Sequence, residues 1–388
     1  MKQVRFGIVG LGNMGRGHVE LIAQAKDKMF CTGAVCDLLP DRAAEIGGKY
    51  GLPHFTDYRK MYESGLIDAV LIATPHYWHG PMTVRAAQMG LHVLCEKPLA
   101  VTVGAARTMI EQCRKHKVAL GCMFMQRTRG IMMKMKEMVD GGKLGEVFRV
   151  SMVCSNWYRT QSYYASGTWR GTWDGEGGGV LLNQAPHSLD LFQWIGGGVP
   201  QRVLATVDTR LHKIEVENTA NAICQYKGGK IGYIYATTAE APGMDQFMVS
   251  GDKGALLAQG NSLKFGRLET PLAKHLMTCP NGFEMPKFQW EDVTWKVEPE
   301  GKHINITRNF ARHLLKGEKL ICPGSEAINE LEISNAIYLS GYGGKAVDLP
   351  VDAAQIDRLI GKLQRERSTG KGGNLRNKAA KELKALLA

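Results

Sequence analysis

The sequence predicts an α/β protein with two domains: a doubly wound parallel sheet in the N-terminal part, and an α+β domain with a mostly antiparallel, open sheet after it. The first prediction depends on short apolar strands that alternate with helical segments as far as residue 125. The second depends on strand-like segments that follow one another between residues 203 and 265 without intervening helices. We therefore place the domains at residues 1–125 and 126–352, followed by a basic helical tail at residues 353–388.

The stretch from Val4 to Gly17 predicts a dinucleotide site. An apolar strand leads into a G-x-G-x-x-G motif, and a helix begins near its end, which is the Rossmann arrangement. In that arrangement the first glycine permits a tight turn, the second lets the backbone approach a pyrophosphate, and the third allows close packing of helix on strand. Free N–H groups at the start of the helix attract the phosphates. We expect cofactor contacts at Gly10, Gly12, Asn13, Met14 and Gly15.

The second strand, residues 32–37, ends in an acidic residue where a ribose-binding carboxylate belongs. Asp37 follows Gly15 by 22 positions, and the motif requires a spacing of about 20. A carboxylate accepts hydrogen bonds from the ribose 2′-hydroxyl group and repels a 2′-phosphate, so NAD is favoured over NADP. Arg42 lies nearby and keeps NADP as the less favoured alternative. The alternative for the whole motif is a structural glycine turn with an aspartate that only caps a helix.

The composition limits the class of protein. The sequence contains no run of about 18 apolar residues that could span a bilayer, and its first strand begins almost at Met1, which leaves no room for a signal peptide. The nine cysteines include no C-x-x-C pair and mostly lie in apolar runs, which is typical of reduced core residues. We therefore expect a cytoplasmic protein without disulfides, without a metal site and without a membrane partner.

Part of the net charge of +12 lies in the tail, which contains nine Lys or Arg residues and three Asp or Glu residues. The tail has no interleaved aromatic residues and no nucleic-acid-binding motif. We expect a solvated or partly disordered basic helix there, with contact to nucleic acid or an anionic surface as the less favoured interpretation.

The remaining elements follow in order from hydrophobic periodicity. The strand at residues 69–74 is entirely apolar, which indicates burial on both faces of a parallel sheet. The other predicted elements of the first domain are helices at 41–49, 58–64, 81–89 and 103–116 and strands at 54–56, 92–95 and 118–123. Those of the second domain are helices at 132–140 and 183–194 and strands at 147–156, 203–208, 220–226, 230–236, 247–251, 255–259 and 264–265.

Two strand ends carry polar residues toward the expected ligand-binding edge of the parallel sheet. One strand leads into residues 74–79 (TPHYWH), and the next leads into residues 95–98 (CEKP). The carboxyl ends of parallel strands meet at one edge of the sheet, where ligands bind. We expect both loops at the nicotinamide end of the cofactor, with contacts from Thr74, Pro75, His79, Glu96 and Lys97.

Three motifs in this order resemble the glucose–fructose oxidoreductase, inositol dehydrogenase and rhizopine-catabolism family (Gfo/Idh/MocA). They are the glycine motif, A-T-P-x-x-x-H at residues 73–79 and E-K-P at residues 96–98, and the resemblance covers nearly the whole chain. It implies that Lys97 reaches the reacting hydroxyl group and that the Lys97–Pro98 peptide bond is cis. It also implies a second set of catalytic groups at Asn183 and His187, and a homo-oligomer, a dimer or tetramer, formed through the open sheet.

The spacing of Asn183 and His187 predicts that both lie on one face of a helix. Where the family shows Asp, this chain has Asn183, which cannot take a proton and would orient the substrate instead. Lys97 and His187 would share the acid–base work. With an ordinary pKa of about 6.5, His187 suits a base without large tuning, whereas the pKa of Lys97, ordinarily about 10.4, must fall before it can act so. The sequence leaves both assignments open.

The loop at residues 157–179 is rich in aromatic and basic residues and is the expected specificity element. Flat apolar faces and forked donors suit a pyranose ring with several hydroxyl groups. The alternative is that these side chains pack the loop against its own sheet or a partner subunit. The candidate substrate contacts are Arg127, Tyr158, Tyr163, Trp169, Arg170, Trp173, Asn183 and His187.

These features predict an NAD-dependent oxidoreductase that acts on a secondary hydroxyl group of a sugar, glycoside or cyclitol. The first alternative is a glycoside-cleaving enzyme that oxidises the C3 hydroxyl group transiently, eliminates the aglycone and returns the hydride. The second is a regulator that senses a sugar or nucleotide without turnover, which the presence of both Lys97 and His187 disfavours.

Overall fold

The computed structural model describes residues 2–295 and 301–388. Its N-terminal domain alternates strands and helices as expected. In chain order these are β1 (Val4–Val9), α1 (Asn13–Ala25), β2 (Phe30–Cys36), α2 (Pro40–Tyr50), β3 (His54–Phe55), α3 (Tyr58–Glu63), β4 (Ala69–Ile72), α4 (His79–Gln88), β5 (His92–Cys95), α5 (Val103–Lys115) and β6 (Leu120–Cys122).

These strands form a six-stranded parallel sheet in the order β3-β2-β1-β4-β5-β6. The strand order reverses between β1 and β4, which is the topological switch point where open α/β sheets bind ligands. The parallel sheet predicted from the sequence is confirmed, and its switch point places the glycine turn after β1 beside the loop after β4.

The second domain begins with α6 (Gly130–Asp140) and contains most of the remaining strands. The following elements are β7 (Val147–Cys154), α7 (Gln161–Ala165), α8 (Pro186–Gly196), β8 (Arg202–Asp208), β9 (Thr219–Gln225), β10 (Ile231–Thr237), β11 (Asp245–Gly251), β12 (Gly254–Gln259), β13 (Ser262–Leu268), α9 (Leu272–Thr278) and β14 (Phe288–Asp292). The C-terminal elements are α10 (His303–Lys316), α11 (Gly324–Gly343), β15 (Val347–Asp348), α12 (Ala353–Arg367) and α13 (Leu375–Leu387).

Within the described residues the second sheet has nine strands in the order β14-β13-β12-β11-β7-β10-β9-β8-β15. The pair β7 and β10 is parallel, and the other neighbours are antiparallel, as the consecutive strands predicted. Helices α8 and α11 pack on one face. On the other face Leu204, Ile223 and Tyr233 are cross-strand neighbours, and each is about half exposed. This sheet therefore presents an open apolar face.

The C-terminal part of the chain returns to the N-terminal domain, which the domain boundary drawn in chain order did not anticipate. Helix α10 packs against β1, and the rings of Phe310 and Phe6 are 6.2 Å apart, centroid to centroid, with both side chains fully buried. Residues from the C-terminal third thus complete the core under the first sheet.

The basic tail differs from the expected solvated helix. It forms α12 and α13, and α13 packs against α4 of the N-terminal domain. Buried apolar side chains of α12, among them Ile356 and Ile360, join the main hydrophobic core. All nine cysteines lie in the described ranges as free thiols, and no helix in those ranges is long and apolar enough to cross a membrane.

We expect Phe310→Ala to lower the free energy of unfolding by about 3–5 kcal/mol, because it leaves a cavity in a closed core. Phe283→Ala is the matched control, because the Phe283 side chain is 98% exposed and its removal leaves no cavity. Urea unfolding monitored by circular dichroism measures both. Equal midpoints for the two variants would contradict the assignment of α10 to the core of the first domain.

Candidate active site

A cleft of about 640 Å³ lies at the carboxyl ends of the parallel strands and is closed on its other side by the second domain. It joins the glycine turn after β1, the loops after β2, β4 and β5, and the loop that carries α7. Its lining consists of Gly10, Gly12, Asn13, Met14, Asp37, Arg42, Ala73, Thr74, Pro75, His76, Glu96, Lys97, Tyr163, Ser166, Gly167, Thr168, Trp169, Arg170 and Asn183.

The three motif glycines have different environments. Gly10 has a φ of +85°, and a Cβ there would lie 2.7 Å from the carbonyl oxygen of Ala73. A Cβ on Gly15 would lie 1.8 Å from the carbonyl oxygen of Gly10, so this glycine permits backbone packing and does not line the cleft. Gly12 has open space where its Cβ would be, and no side chain caps the first turn of α1. An open backbone surface beside uncapped N–H groups fits a pyrophosphate.

Asp37 is fixed at the end of β2 by two backbone hydrogen bonds. The N–H of Leu11 donates to its Oδ2 at 2.7 Å, and the N–H of Leu39 donates to its Oδ1 at 3.0 Å. The guanidinium group of Arg42 lies 3.4 Å from the same carboxylate. Asp37 therefore presents an acceptor to a ribose, and its charge partly compensates that of Arg42, the residue that would otherwise favour a 2′-phosphate.

Glu96 is a buried carboxylate at the floor of the cleft. Its Oε1 lies 2.7 Å from Nε2 of His18, and its Oε2 accepts the N–H of Lys97 at 3.1 Å. Burial raises the pKa of Glu96, but the hydrogen bond from His18 and the nearby His303 and Lys97 outweigh it and lower that pKa to about 2. Sequence reasoning missed His18 and His303, because they come from α1 and α10 and meet Glu96 only in the folded chain.

The sequence predicted a cofactor contact for His79, but the side chain of His79 lies behind the cleft lining. Its side chain is fully buried, with Nδ1 2.9 Å from the carbonyl oxygen of Pro98 and Nε2 3.0 Å from that of Thr74. The Lys97–Pro98 peptide bond is cis, as the resemblance implied. His79 thus links the two loops that follow β4 and β5, and its imidazole does not face the dinucleotide.

Lys97 extends into the cleft, and its Nζ donates to the carbonyl oxygen of Asn183 at 2.7 Å. Burial lowers the pKa of Lys97, and the nearby carboxylates of Glu96 and Glu176 oppose this only in part. A partly desolvated lysine of this kind can lose its proton at lower pH than a fully solvated one.

His187 lies just behind the cleft lining and is 7% exposed. Burial, followed by the charge of Lys97, lowers the pKa of His187 to about 3, so its imidazole is neutral at physiological pH. This lowered pKa disfavours His187 as an untuned base, and its catalytic role stays a prediction. Its Nδ1 is buried without a hydrogen-bond partner in the described residues, and buried polar atoms of this kind are normally satisfied by a ligand or an ordered water.

Asn183 does not lie on a common helical face with His187, because α8 begins at Pro186 and Asn183 belongs to the turn before it. Its N–H donates to the carbonyl oxygen of Gly179 at 2.9 Å, which folds the segment toward the cleft. Pro186 at the first helical position explains where the helix starts. The sequence correctly predicted that Asn183 lies at the cleft, but the predicted helical face shared with His187 is wrong.

Two buried carboxylates that sequence reasoning missed fix this turn. Glu217 accepts the N–H groups of Gly179 and Leu181, each at 3.0 Å, and the hydroxyl group of Tyr338 at 2.8 Å. Burial raises the pKa of Glu217 to about 7 in spite of these bonds. Only the tertiary structure brings it, from the segment before β9, to the turn.

Glu176 is the second of these carboxylates and lies next to Asn183. The Asn183 amide donates to its Oε1, and the N–H of Gly171 donates to its Oε2 at 2.6 Å. Burial raises the pKa of Glu176, opposed by the hydrogen bonds from Gly171 and Asn183 and by the charges of Arg170 and Lys97. The sequence contained a signal for this role of Glu176. It is an acidic residue within a glycine-rich run, and the N–H groups of such a run need acceptors when they are buried.

The loop around α7 supplies the wall opposite the cofactor turn. The guanidinium group of Arg170 lies 4.6 Å from the ring centroids of both Tyr163 and Trp169, and it donates to the Tyr163 hydroxyl group at 2.5 Å. The Trp169 ring contacts His76, with centroids 5.4 Å apart. This wall combines two aromatic faces with one cation.

Besides His187, three residues predicted to contact the substrate lie outside the cleft lining. The Arg127 side chain is fully buried and paired with Asp190 at 2.6 Å and Glu326 at 2.7 Å. Trp173 is also fully buried, and its Nε1 donates to the carbonyl oxygen of Glu215. Tyr158 is half exposed outside the cleft lining. Arg and Trp side chains serve both in ligand binding and in structural packing, and Arg127 and Trp173 serve in packing.

Comparison with known proteins agrees with this geometry. Residues 4–124 match a family described as an oxidoreductase family with an NAD-binding Rossmann fold, and residues 132–257 match the C-terminal domain of the same family. The chain belongs to the Gfo/Idh/MocA family. It is thus an oxidoreductase with an NAD-binding Rossmann domain, and the glycine turn and Asp37 are the residues that fit the cofactor. Within the described residues, no group of three or more His, Cys, Asp or Glu is arranged to bind a metal ion.

Among curated relatives, the myo-inositol 2-dehydrogenase of Thermotoga maritima is 28% identical over 66% of this chain and 75% of its own length. The inositol 2-dehydrogenase of Rhizobium meliloti is 25% identical over 87% of this chain and 96% of its own length. A crystal structure of the WlbA dehydrogenase from Bordetella pertussis, in complex with NADH and UDP-GlcNAcA, is 27% identical. It covers 90% of this chain and 100% of its own, with a TM-score of 0.76.

The environments of Gly12 and Gly15 predict that alanine affects NAD binding at one position and stability at the other. Gly12→Ala places a methyl group in open space, so we expect normal stability but at least roughly ten-fold weaker NAD binding, because the methyl group occupies the path of the pyrophosphate. Gly15→Ala forces a Cβ onto the Gly10 carbonyl oxygen, so we expect reduced thermal stability. Calorimetric titration with NAD and thermal melting separate the two effects. Unchanged NAD affinity in Gly12→Ala would contradict the placement of the pyrophosphate.

Proposed function

We propose that this protein is an NAD-dependent dehydrogenase that transfers a hydride between the nicotinamide and a secondary hydroxyl group of a sugar, glycoside or cyclitol. One observation carries the proposal: a half-buried lysine with a lowered pKa, Lys97, lies between the dinucleotide turn and an aromatic wall rich in hydrogen-bond donors. Alcohol oxidation needs a base near the hydroxyl group, a hydride acceptor and a cation or donor for developing negative charge.

Lys97 acts as the base in this proposal. The glycine turn and Asp37 would hold NAD, which would supply the hydride acceptor for the carbinol carbon. The neutral amine of Lys97 removes the hydroxyl proton, and the ammonium group so formed stabilises the remaining partial charge on oxygen. Its hydrogen bond to the Asn183 carbonyl oxygen directs Nζ toward the second domain, from which the substrate approaches.

His187 and Asn183 orient the hydroxyl groups of the substrate. His187 is neutral, and its buried, unpartnered Nδ1 can form a hydrogen bond to the substrate through a water. Asn183 cannot relay a proton, and its amide is oriented by the carboxylate of Glu176. With Lys97, these two residues form a site with one titrating base and two positioning groups.

The aromatic wall supports a cyclic polyol as the substrate. Tyr163 and Trp169 offer flat surfaces for the C–H face of a ring, and Arg170 offers forked donors for its oxygens. Relatives of this chain include dehydrogenases named for inositol and levoglucosan, both cyclic polyols. We assign substrate contacts to Tyr163, Trp169 and Arg170, and none to Arg127, Tyr158 or Trp173.

We further propose that the protein forms a homo-oligomer through the open face of the nine-stranded sheet. The exposed cross-strand neighbours Leu204, Ile223 and Tyr233 form an apolar row on that face, and such rows are typical of protein interfaces. A cytoplasmic location remains a prediction from the sequence.

The function is tested by incubating the purified protein with NAD and either myo-inositol, levoglucosan, D-glucose or p-nitrophenyl β-D-glucoside, while NADH and p-nitrophenol are measured together. We expect NADH formation with at least one cyclic polyol, and a loss of about 10²–10⁴-fold in rate for Lys97→Met. Lys143→Met, at an exposed position, is the matched control. Release of p-nitrophenol with NAD needed only in catalytic amount would favour glycoside cleavage instead.

The pH dependence of kcat/KM distinguishes the two candidate bases. The active form of Lys97 is the deprotonated amine, so we expect the rate of oxidation to rise with pH through one ionisation below the ordinary lysine value of 10.5 and then to level off. His187 is neutral above about pH 3 and should add no step near pH 6.5. The inflection should persist in His187→Asn. A step near 6.5 that disappears in that variant would identify His187 as the base.

A further inference from the structure

The two C-terminal helices connect the two sides of the cleft, although they lie beyond the part of the chain that matches the family domains. On one side, Glu382 of α13 accepts hydrogen bonds from the Tyr58 hydroxyl group at 2.8 Å and from Arg59 at 2.6 Å. Gln88 of α4 donates to the carbonyl oxygen of Leu386 at 2.6 Å. Helix α13 is thus attached to α3 and α4 of the NAD-binding domain.

On the other side, the connection between α12 and α13, residues 368–374, contacts the loop that forms the substrate wall. The N–H and hydroxyl groups of Thr369 both donate to Oε1 of the buried Glu215, at 2.7 and 2.6 Å. Close packing accompanies these bonds, because a Cβ on Gly372 would lie 2.7 Å from both Asp174 and Gly175. The connection therefore packs directly on the segment that leads to Glu176.

Lys371 makes the contact that bears most directly on the cleft. Its Nζ donates to the carbonyl oxygens of Tyr164 at 2.6 Å and of Arg170 at 3.2 Å. These two carbonyls bracket the turn that contains Trp169, and Gly167 and Thr168 of the same turn line the cleft. No ion pair of Lys371 is found in the described residues, and the hydrogen bonds of its ammonium group there go to these two backbone carbonyls. Hydrogen bonds from a charged donor are stronger than neutral ones.

We propose that Lys371 is a positioning residue for substrate binding, which sets the distance between the wall of Tyr163, Trp169 and Arg170 and the cofactor turn. Helix α13 provides the link between the two. It is hydrogen-bonded to the NAD-binding domain, and the connection that precedes it is hydrogen-bonded to the loop. Lys371 touches neither substrate nor cofactor in this assignment. The inference rests on the proposed function, since it concerns the carbohydrate subsite of the same cleft.

The test compares Lys371→Met with Lys378→Met. Lys378 is the matched control, because the hydrogen bond of its Nζ in the described part of the chain goes to the carbonyl oxygen of Gly373, within the tail itself. For whichever polyol of the panel the wild-type enzyme oxidises, we expect KM to rise about ten-fold in Lys371→Met, with kcat within a factor of about two and NAD affinity unchanged. Lys371→Arg keeps the charged donor and should restore most of the KM.

Hydrogen–deuterium exchange provides a readout that needs no substrate. In the NAD complex, we expect peptides covering residues 160–172 of Lys371→Met to exchange about ten-fold faster, with no change in peptides of β1 or α1. If KM and exchange match those of Lys378→Met, the proposal is wrong. It is also wrong if NAD affinity falls together with KM, because that result indicates general loosening. Faster exchange confined to this loop, in an enzyme that oxidises no polyol of the panel, would support the positioning role and contradict the proposed function instead.

Discussion

The geometry of the cleft depends on the buried carboxylate of Glu96. This group accepts a hydrogen bond from His18 of α1 and from the N–H of Lys97, and it lies 4.0 Å from His303 of α10. An unpaired buried charge would be strongly destabilising, so burial of Glu96 requires α1, the loop after β5 and α10 to assemble together. The same assembly fixes the backbone of Lys97, from which its side chain reaches the cleft. The cofactor turn and the proposed base thus share one electrostatic anchor.

Buried carboxylates serve as structural acceptors in the second domain as well. A glycine-rich turn exposes N–H groups that have to be paired when they are buried, and Glu176 and Glu217 supply the acceptors. Desolvation raises the pKa of both groups, so burying their charged forms costs stability, which the hydrogen bonds to the backbone offset in part. The result is a rigid turn that presents Asn183 to Lys97, although Asn183 itself carries no titratable group.

The C-terminal third of the chain closes the site from outside the family motifs. Phe310 completes the core under β1, and α13 attaches the loop of Tyr163 and Arg170 to the NAD-binding domain through the connection that contains Lys371. The high net charge of the tail suggested solvation, but Lys371 and Arg376 donate hydrogen bonds to acceptors within the protein. Charge counts alone do not distinguish a solvated helix from one whose cations and amides bind backbone carbonyls.

The sequence by itself determined the parallel sheet, the glycine turn, Asp37 and the position of Lys97. These features depend on local backbone requirements and on the rule that parallel strands end at one edge. It could not determine that Arg127 and Trp173 are buried, that Asn183 precedes its helix, or that the pKa of His187 falls to about 3. Those outcomes were decided by the tertiary structure. Residue type specifies which groups can donate, accept or titrate, whereas burial and partners from distant segments, such as Asp190 beside Arg127, decide which of them do so.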